Sequence, residues 1–393
     1  MSERLLVLNC GSSSIKFALF DAADAAPPRT PEWNGQVDGI GGASARFAES
    51  AAAPVAVSLD ATQPYHAALE LIRARVRERL GGARLVAVAH RVVHGGAKYF
   101  APVRVDAAVL ADLRSYVPLA PLHQPFALEA VEALLASRPD LVQVACFDTG
   151  FHHTLPDVET MLPLSYEAWQ RGLRRYGFHG LSYEYLSIAL AERHGERARG
   201  RTICAHLGSG ASLCAMQDLK SVATTMGFSA LDGLMMGTRC GALDPGAVLY
   251  LMEIEKLDVH EVGQLLYHRS GLLGISGVSA DPRELLAREA ASERVRMALA
   301  LYVRRIVREI GALAAVLGGL DLLVFTAGIG EHNAEIRARV CRELAYLGIE
   351  LDDAANAANA RTISTAAARA RVAVEPTNEE WIAARAAAAL VAR

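Results

Sequence analysis

"NCGSSSIKFALF" (residues 9–20) and "HLGSGASLCAMQ" (residues 206–217) are the two stretches on which the reading of the fold turns. Each follows an apolar, strand-like run, Leu5–Leu8 in one case and Ile203–Ala205 in the other. Each then gives a polar residue, one spacer, Gly-Ser, small residues and a second apolar run. Laid together, Asn9-Cys-Gly-Ser-Ser-Ser matches His206-Leu-Gly-Ser-Gly-Ala. An echo placed near the start of each half of a chain indicates a duplicated fold. Glycine and small residues on a strand-to-strand turn let the backbone approach an anion, with amide N–H groups aimed at it. A third loop of this kind, 327–331, follows the apolar run Leu322–Phe325. Three such loops in one chain point to nucleotide phosphates. The familiar alternatives are missing: no G-x-x-x-x-G-K-[ST], no G-x-G-x-x-G after a strand, and no G-x-S-x-G.

Outward from these loops, the 393 residues exceed one comfortable core, and two domains are expected. In the first, strands at Leu5–Leu8 and Ile15–Phe20 precede a Pro/Gly-rich patch, 27–42, read as turns and edge structure. Apolar positions recur at helical spacing over Tyr65–Leu80, and Gly81-Gly82 stops them. A short strand at Val86–Ala89 leads into "HRVVHGG". A helix over 126–137 is followed by a strand, Leu141–Phe147, ending at Asp148. Strand, helix and strand in repetition indicate an α/β fold. The second block begins after "FDTGFHHTLP" and carries one long helical stretch, Pro282–Leu317, the strand Leu322–Phe325, and an alanine-rich helix over Glu379–Val391. The expected division is 1–150 and 151–380, with the segment 381–393 packing back on the first domain.

Composition narrows the function classes. Hydrophobic residues make up 52% of the chain, enough for a large interior, and a net charge of −3 offers no basic surface for nucleic acid. The longest apolar runs are too short to span a bilayer, and the N-terminal residues lack the pattern of a signal peptide. The six cysteines (Cys10, Cys146, Cys204, Cys214, Cys240, Cys341) show no C-x-x-C spacing and read as reduced, mostly buried thiols of a cytoplasmic protein. Lysine occurs only at 16, 98, 220 and 256 in an arginine-rich chain, which singles out Lys16 beside the first loop.

The candidate chemistry is cationic. "HRVVHGG" (90–96), "PLHQP" (121–125), "RRYGFHG" (174–180) and "TRCGALDP" (238–245) each set Arg or His beside Gly or Pro. They read as loops, where a rigid scaffold presents functional side chains. His90 and His94, four apart, do not read as a zinc pair, because Val-Val and Gly-Gly argue against a helix there. The acidic candidates are Asp148, at a strand end where α/β enzymes place catalytic groups, and Glu379 and Glu380. At a helix start the two glutamates read equally well as capping and dipole compensation.

These motifs, together with "FDTGFH", "GLMMGTRCGALDP", "FTAGIGEH" and "PTNEE", occur in one order across nearly the whole chain, which resembles the acetate kinase family. The resemblance implies membership of the acetate and sugar kinase, Hsp70 and actin superfamily. Its fold would be two duplicated actin-like (ribonuclease H-like) α/β domains with a nucleotide cleft between them. It further implies a homodimer that interconverts ATP plus acetate with ADP plus acetyl phosphate, using Mg²⁺ or Mn²⁺. By the same resemblance Asn9 and Glu379 hold the metal, with Glu380 as the capping neighbour. Ser12, Ser14 and Lys16 face the phosphates. Arg91 and Arg239 clamp the acyl carboxylate and the phosphoryl in flight, His179 stabilises the transition state, and Asp148 orients the site. His123 and His206 lie beside the transferring phosphoryl. The stretch His206, Leu207, Gly208, Ser209, Gly210 meets the nucleotide phosphates. Asp281, Pro282, Arg283 and Gly328, Ile329, Gly330, Glu331, His332 meet the adenosine side. Val93, Leu122 and Phe178 form the acyl pocket.

Departures from the family pattern bear on specificity. Ser209 replaces an Asn, Ala242 an Asp close to Arg239, Ala230 a Pro near the acyl pocket, and His332 an Asn on the base side. Ala327 stands where the family usually has Gly. By the resemblance Ala230 would enlarge the pocket while Val93 argues the other way, so propionate or another short acyl group is the first alternative to acetate. A hydroxyl kinase of the superfamily, with Asp148 as base toward an alcohol, is the second. An ATP-driven clamp of the chaperone and actin branch is the third, although no stretch suits a partner-binding insertion. The arginines favour an anionic acceptor.

Overall fold

The computed structural model describes residues 2–23, 26–42, 44–50, 52–121 and 123–392. Two compact units emerge: Met1–Phe151 together with Asn378–Arg393, and His152–Thr377.

The first unit is built on eight strands: β1 (Glu3–Cys10), β2 (Ser14–Asp21), β3 (Trp33–Asp38), β4 (Ala45–Glu49), β5 (Val55–Val57), β6 (Arg84–Val92), β7 (Val103–Arg104) and β8 (Val142–Phe147). Their order is β5-β4-β3-β2-β1-β6-β8-β7. β1 runs antiparallel to β2 and parallel to β6, which runs parallel to β8. Leu5–Leu8 of β1 are all buried, as expected of a strand covered on both faces. β3 runs through the patch read from sequence as turns, because Trp33 and Val37 turn inward against Phe17 and Phe47 while Gly35 lets strands approach closely.

Helix Pro64–Leu80 starts with proline at its first turn, where the missing N–H is no loss, and ends at Gly81 with φ of 56°. It shares a core with helix Gln124–Ser137 over β1 and β6. The helix Glu379–Val391 packs on β1, β6 and β8. Its cap is Asn378, whose side chain accepts from the Trp381 N–H and donates to the Arg29 carbonyl at 2.8 Å. Glu380 is therefore not the capping residue. Trp381 donates to the Pro27 carbonyl and lies against the guanidinium groups of Arg29 and Arg385.

The second unit has β9 (Thr202–Leu207), β10 (Ala211–Gln217), β11 (Lys220–Thr224), β12 (Leu322–Thr326) and β13 (Arg371–Val374), in the order β11-β10-β9-β12-β13. Two antiparallel pairs followed by two parallel ones repeat the pattern β3-β2-β1-β6-β8 of the first unit. The duplication inferred from two short loops thus extends to five strands. The long helical stretch expected over Pro282–Leu317 is broken into helices Pro282–Arg288 and Glu293–Leu317. Ser292 makes the break, accepting from the Val295 N–H as an N-cap. The loop expected at 327–331 is instead a short helix, Ala327–His332, directly after β12.

Candidate active site

In the first unit, the turn Gly11–Ser13 closes through a hydrogen bond from the Gly11 N–H to the Ser14 carbonyl at 2.8 Å. Asn9 and Lys16 face each other across the hairpin. Ser12 is exposed and Ser14 half-buried. Lys16, Asn34, Gln36, Asn378 and Glu380 line a polar pocket of about 490 Å³. Burial, and then the neighbouring Glu379 carboxylate, raise the Glu380 pKa.

His90 and Arg91 are not on a loop: they occupy the C-terminal end of β6, in register with Ala145 and Cys146 of β8. That register sets Arg91 against Asp148, the residue just past β8. Its Nε and Nη2 donate to Oδ1 and Oδ2 at 2.9 and 2.7 Å, a two-pronged grip on a buried carboxylate. Its Nη1 lies 3.4 Å from both Asn9 Oδ1 and Glu379 Oε2. Burial alone would lower the guanidinium pKa, but Asp148, Glu379 and Glu380 outweigh it and raise the value. The Asn9 and Glu379 oxygens therefore both lie beside Arg91 Nη1. Two hard oxygen donors, with water and phosphate completing the shell, are what a Mg²⁺ ion takes from a protein, so the donor set fits. No cluster of three or more His, Cys, Asp or Glu suited to a metal occurs among the described residues.

Val93 lies on the turn that leaves β6. Buried Gln124 pins this turn, accepting from the His94 N–H at 3.1 Å and donating to the His94 carbonyl at 3.0 Å. Thr149 accepts from the Gly95 N–H, and any Cβ on Gly95 would sit 2.1 Å from the Tyr99 carbonyl. His123 is half-buried just before the 124–137 helix. Leu122 lies outside the described residues. His90 is buried against the Gln143 side chain, and burial pushes it down to about 4 despite that contact.

In the second unit, Phe178 is buried and its carbonyl meets His152 Nε2 at 2.9 Å. His179 takes a left-handed φ of 59° at the start of helix Gly180–His194. The His179 and His206 rings stack at 4.1 Å and 11°. Ser212 holds Nδ1 of the former at 2.8 Å, and Ser182 holds Nδ1 of the latter at 2.9 Å. Leu207 is buried at the end of β9, and Gly208, Ser209 and Gly210 form the turn into β10, closed by the Gly208 N–H on the Gly210 carbonyl. A Cβ on Gly210 would lie 3.0 Å from His179 Nε2 and 3.8 Å from Arg239 Nη1, so this turn, both imidazoles and Arg239 are brought together. Arg239 donates to the Ala230 carbonyl at 3.1 Å, and burial lowers its pKa. Arg175, from the same motif as His179, serves structure: its Nη1 donates to the carbonyls of Thr224, Thr225 and Met226.

Gly328, Ile329 and Gly330 lie on the short helix after β12, whose first residue, Ala327, has φ of 63°. Glu331 folds back to accept from the Ala327 N–H at 2.8 Å, and His332 is exposed. Buried Arg337 grips the end of this helix, donating to the Gly330 and Glu331 carbonyls at 2.9 Å and to Asn356 and Asn359. Asp281 caps the helix that starts at Pro282 and pairs with exposed Arg283 at 2.6 Å.

Sequence reading missed Gln124, Ser182, Tyr183 and Arg337, and it placed Ser212 in the second Gly/Ser loop without a role of its own. Only Gln124 gave a signal, as an amide beside Pro125 in "PLHQP".

The comparisons with known proteins cover nearly the whole chain. The chain is 48% identical over 398 residues to an acetate kinase of Rhodopseudomonas palustris, covering 98% of each. It is 46% identical over 405 residues to one of Methylocella silvestris, covering all of this chain and 98% of that one. Among solved structures, a propionate kinase from Francisella tularensis superimposes with a TM-score of 0.90 at 34% identity, over 98% of both chains. Porphyromonas gingivalis acetate kinase does so with a TM-score of 0.88 at 35% identity, over the full length of both. The family model of the acetokinase family matches residues 4–385, and the chain belongs to that family.

Proposed function

We propose that this enzyme is an ATP-dependent acyl kinase that transfers the γ-phosphoryl group of ATP to the carboxylate of acetate, reversibly giving ADP and acetyl phosphate. The observation that carries this reading is the grip of Arg91 on Asp148. Both carboxylate oxygens accept from one guanidinium, which leaves Asp148 occupied, so it suits orienting an arginine better than accepting a proton from an alcohol. An acetate carboxylate is already ionised at neutral pH and needs no base. The obstacle is the approach of two anions, and catalysis lies in neutralising charge on the phosphoryl oxygens.

In this reading Arg91, with Val93, Leu122 and Phe178, receives the acyl group. The turn His206–Gly210 takes nucleotide phosphates, while Arg239, His179, His206 and His123 offer positive charge or N–H groups to the moving phosphoryl. Ser12, Ser14 and Lys16 complete the phosphate contacts, and Asp281–Arg283 and Gly328–His332 serve the adenosine. Asn9 and Glu379 would hold Mg²⁺, which supplies charge neutralisation on the nucleotide phosphates when bound.

The test is hydroxylamine trapping of acyl phosphate with ATP, Mg²⁺ and acetate, propionate or butyrate in turn. Hydroxamate from acetate supports the reading, and folded enzyme giving none with any acid overturns it. A preference for propionate would favour the second reading. Its basis is that Ala230, which carries the carbonyl holding Arg239, lacks the bulk of proline.

The same proposal includes a homodimer in the cytoplasm. Helix Pro245–Glu253 is strongly apolar yet buries no residue, and Leu243, Leu249, Tyr250, Ile254 and Val259 are all exposed. A patch of this kind marks a protein contact, and a second copy is the occupant we assign to it. All six thiols are free and five are buried, in keeping with a reducing compartment. No helix among the described residues is long and apolar enough to cross a membrane.

A further inference from the structure

We infer that Ser212 and Tyr183 are positioning residues that fix the tautomer of His179, so that its neutral ring carries the proton on Nδ1 and turns an unprotonated Nε2 toward Gly210. Three contacts run in series: His179 Nδ1 to Ser212 Oγ at 2.8 Å, Ser212 Oγ to Tyr183 Oη at 2.6 Å, and Tyr183 Oη to the Ser212 carbonyl at 2.9 Å. A carbonyl oxygen only accepts, and a phenol has one proton, so the Tyr183 proton goes to the carbonyl. Tyr183 Oη must then accept from Ser212, whose single hydroxyl proton is thereby committed. The remaining contact is made only if Nδ1 of His179 donates. Direction is set from the far end, by a backbone carbonyl that cannot reverse.

Burial makes the chain binding. Tyr183 and Ser212 are wholly inaccessible to water, and a buried hydroxyl left without a partner is costly. The ring cannot rotate freely either, since it stacks on His206, itself held by Ser182. Its Nε2 edge is the one beside Gly210.

The catalytic consequence rests on the proposed function, in which His179 meets the phosphoryl group. A ring whose Nδ1 proton is committed offers Nε2–H to an anionic oxygen only as an imidazolium. It therefore brings a full positive charge rather than a neutral dipole, and charge-assisted hydrogen bonds are about twice as strong as neutral ones. In Tyr183→Phe the Ser212 proton is released to donate to Nδ1, and the neutral ring moves its proton to Nε2.

The test is ¹⁵N NMR on the substrate-free protein labelled at histidine, with the His179 signals assigned by their loss in His179→Gln. The expected result is a protonated Nδ1 and an unprotonated Nε2 in the wild type, reversed in Tyr183→Phe. Kinetically, Tyr183→Phe and Ser212→Ala should lower kcat roughly tenfold while leaving KM for ATP and the acid within about twofold, and Ser212→Thr should retain kcat. A wild-type neutral ring protonated at Nε2, or a tautomer unmoved in Tyr183→Phe, overturns the inference. Should Tyr183→Phe not fold, the wild-type spectrum decides alone. Because that spectrum needs no turnover, wild-type protein that makes no acyl phosphate yet shows the assigned tautomer would sink the proposed function and leave this inference standing.

Discussion

Arg91 does two jobs at one guanidinium, and they can be separated. Two nitrogens hold buried Asp148, and the third points to the oxygens of Asn9 and Glu379. Removing the side chain strands a buried carboxylate, so Arg91→Ala should lose about 3–5 kcal/mol of stability as well as activity. Arg91→Lys keeps a charge near Asp148 without the fork. It should fold with a denaturation midpoint close to the parent's yet turn over ~10²–10³-fold more slowly. Near-parental turnover in Arg91→Lys would show that the fork itself is dispensable. Ala327 raises a different question, because it holds φ of 63° where a side chain is strained. A β-branched residue there is worse, so Ala327→Val should cost about 1–3 kcal/mol in urea denaturation and raise KM for ATP more than KM for the acid. An unchanged urea midpoint would mean that the backbone relaxes at no cost.

At the level of elements, the helix Glu379–Val391 delivers Glu379, and Asn378 fixes where that helix begins. Asn378→Ala removes the cap and the tie to the Arg29 carbonyl. It should cost ~1 kcal/mol and raise the Mg²⁺ concentration needed for half-maximal rate. A loss of stability with no change in Mg²⁺ requirement would detach Glu379 from the metal. The elements also show what the sequence could and could not disclose. The two hairpins were legible because their glycines and hydroxyls punctuate apolar runs, and a period of two needs no distant information. The break at Ser292 was hidden because the apolar stripe continues on both sides of it. The helix Ala327–His332 looked like a loop because Gly328 and Gly330 are poor helix formers, and what stabilises it is remote: Arg337 on its carbonyls. Arg91 was placed on a loop since Gly95-Gly96 drew the boundary too early. Tyr183 carried no local mark and Ser212 only that of its Gly/Ser loop, because a hydroxyl relay exists only once helix and hairpin are packed.

Across the whole molecule, burial sets a pH limit. His90 and His94 in one unit and His152 in the other are each pushed down to about 4, with burial the leading cause. In the unfolded chain they titrate near 6.5, so between about pH 6.5 and 4 the unfolded state holds more protons. Stability should be flat in this respect above about pH 6.5 and fall by up to about 3 kcal/mol for each histidine as pH drops through that window. Urea midpoints at neutral pH and at about pH 5 would check it, and equal midpoints would contradict it. The exposed apolar helix Pro245–Glu253 makes a second prediction at this scale. Tyr250→Glu should shift the protein to a monomer in sedimentation without altering its circular dichroism, whereas an unchanged mass would exclude that face as the contact. Finally, the first unit is discontinuous in the chain: its last helix follows the whole of His152–Thr377. At ribosomal rates of ~5–20 residues per second, those roughly 226 residues take about 10–45 s to emerge. For that interval the faces of β1, β6 and β8 that will be covered by the last helix stand bare, with Asn9 and Arg91 in place and Glu379 not yet made. The first unit can therefore complete its core only after the second has been synthesised. Glu379, which we propose as a metal ligand, is made only after the whole of His152–Thr377, so the proposed metal site is completed late in synthesis.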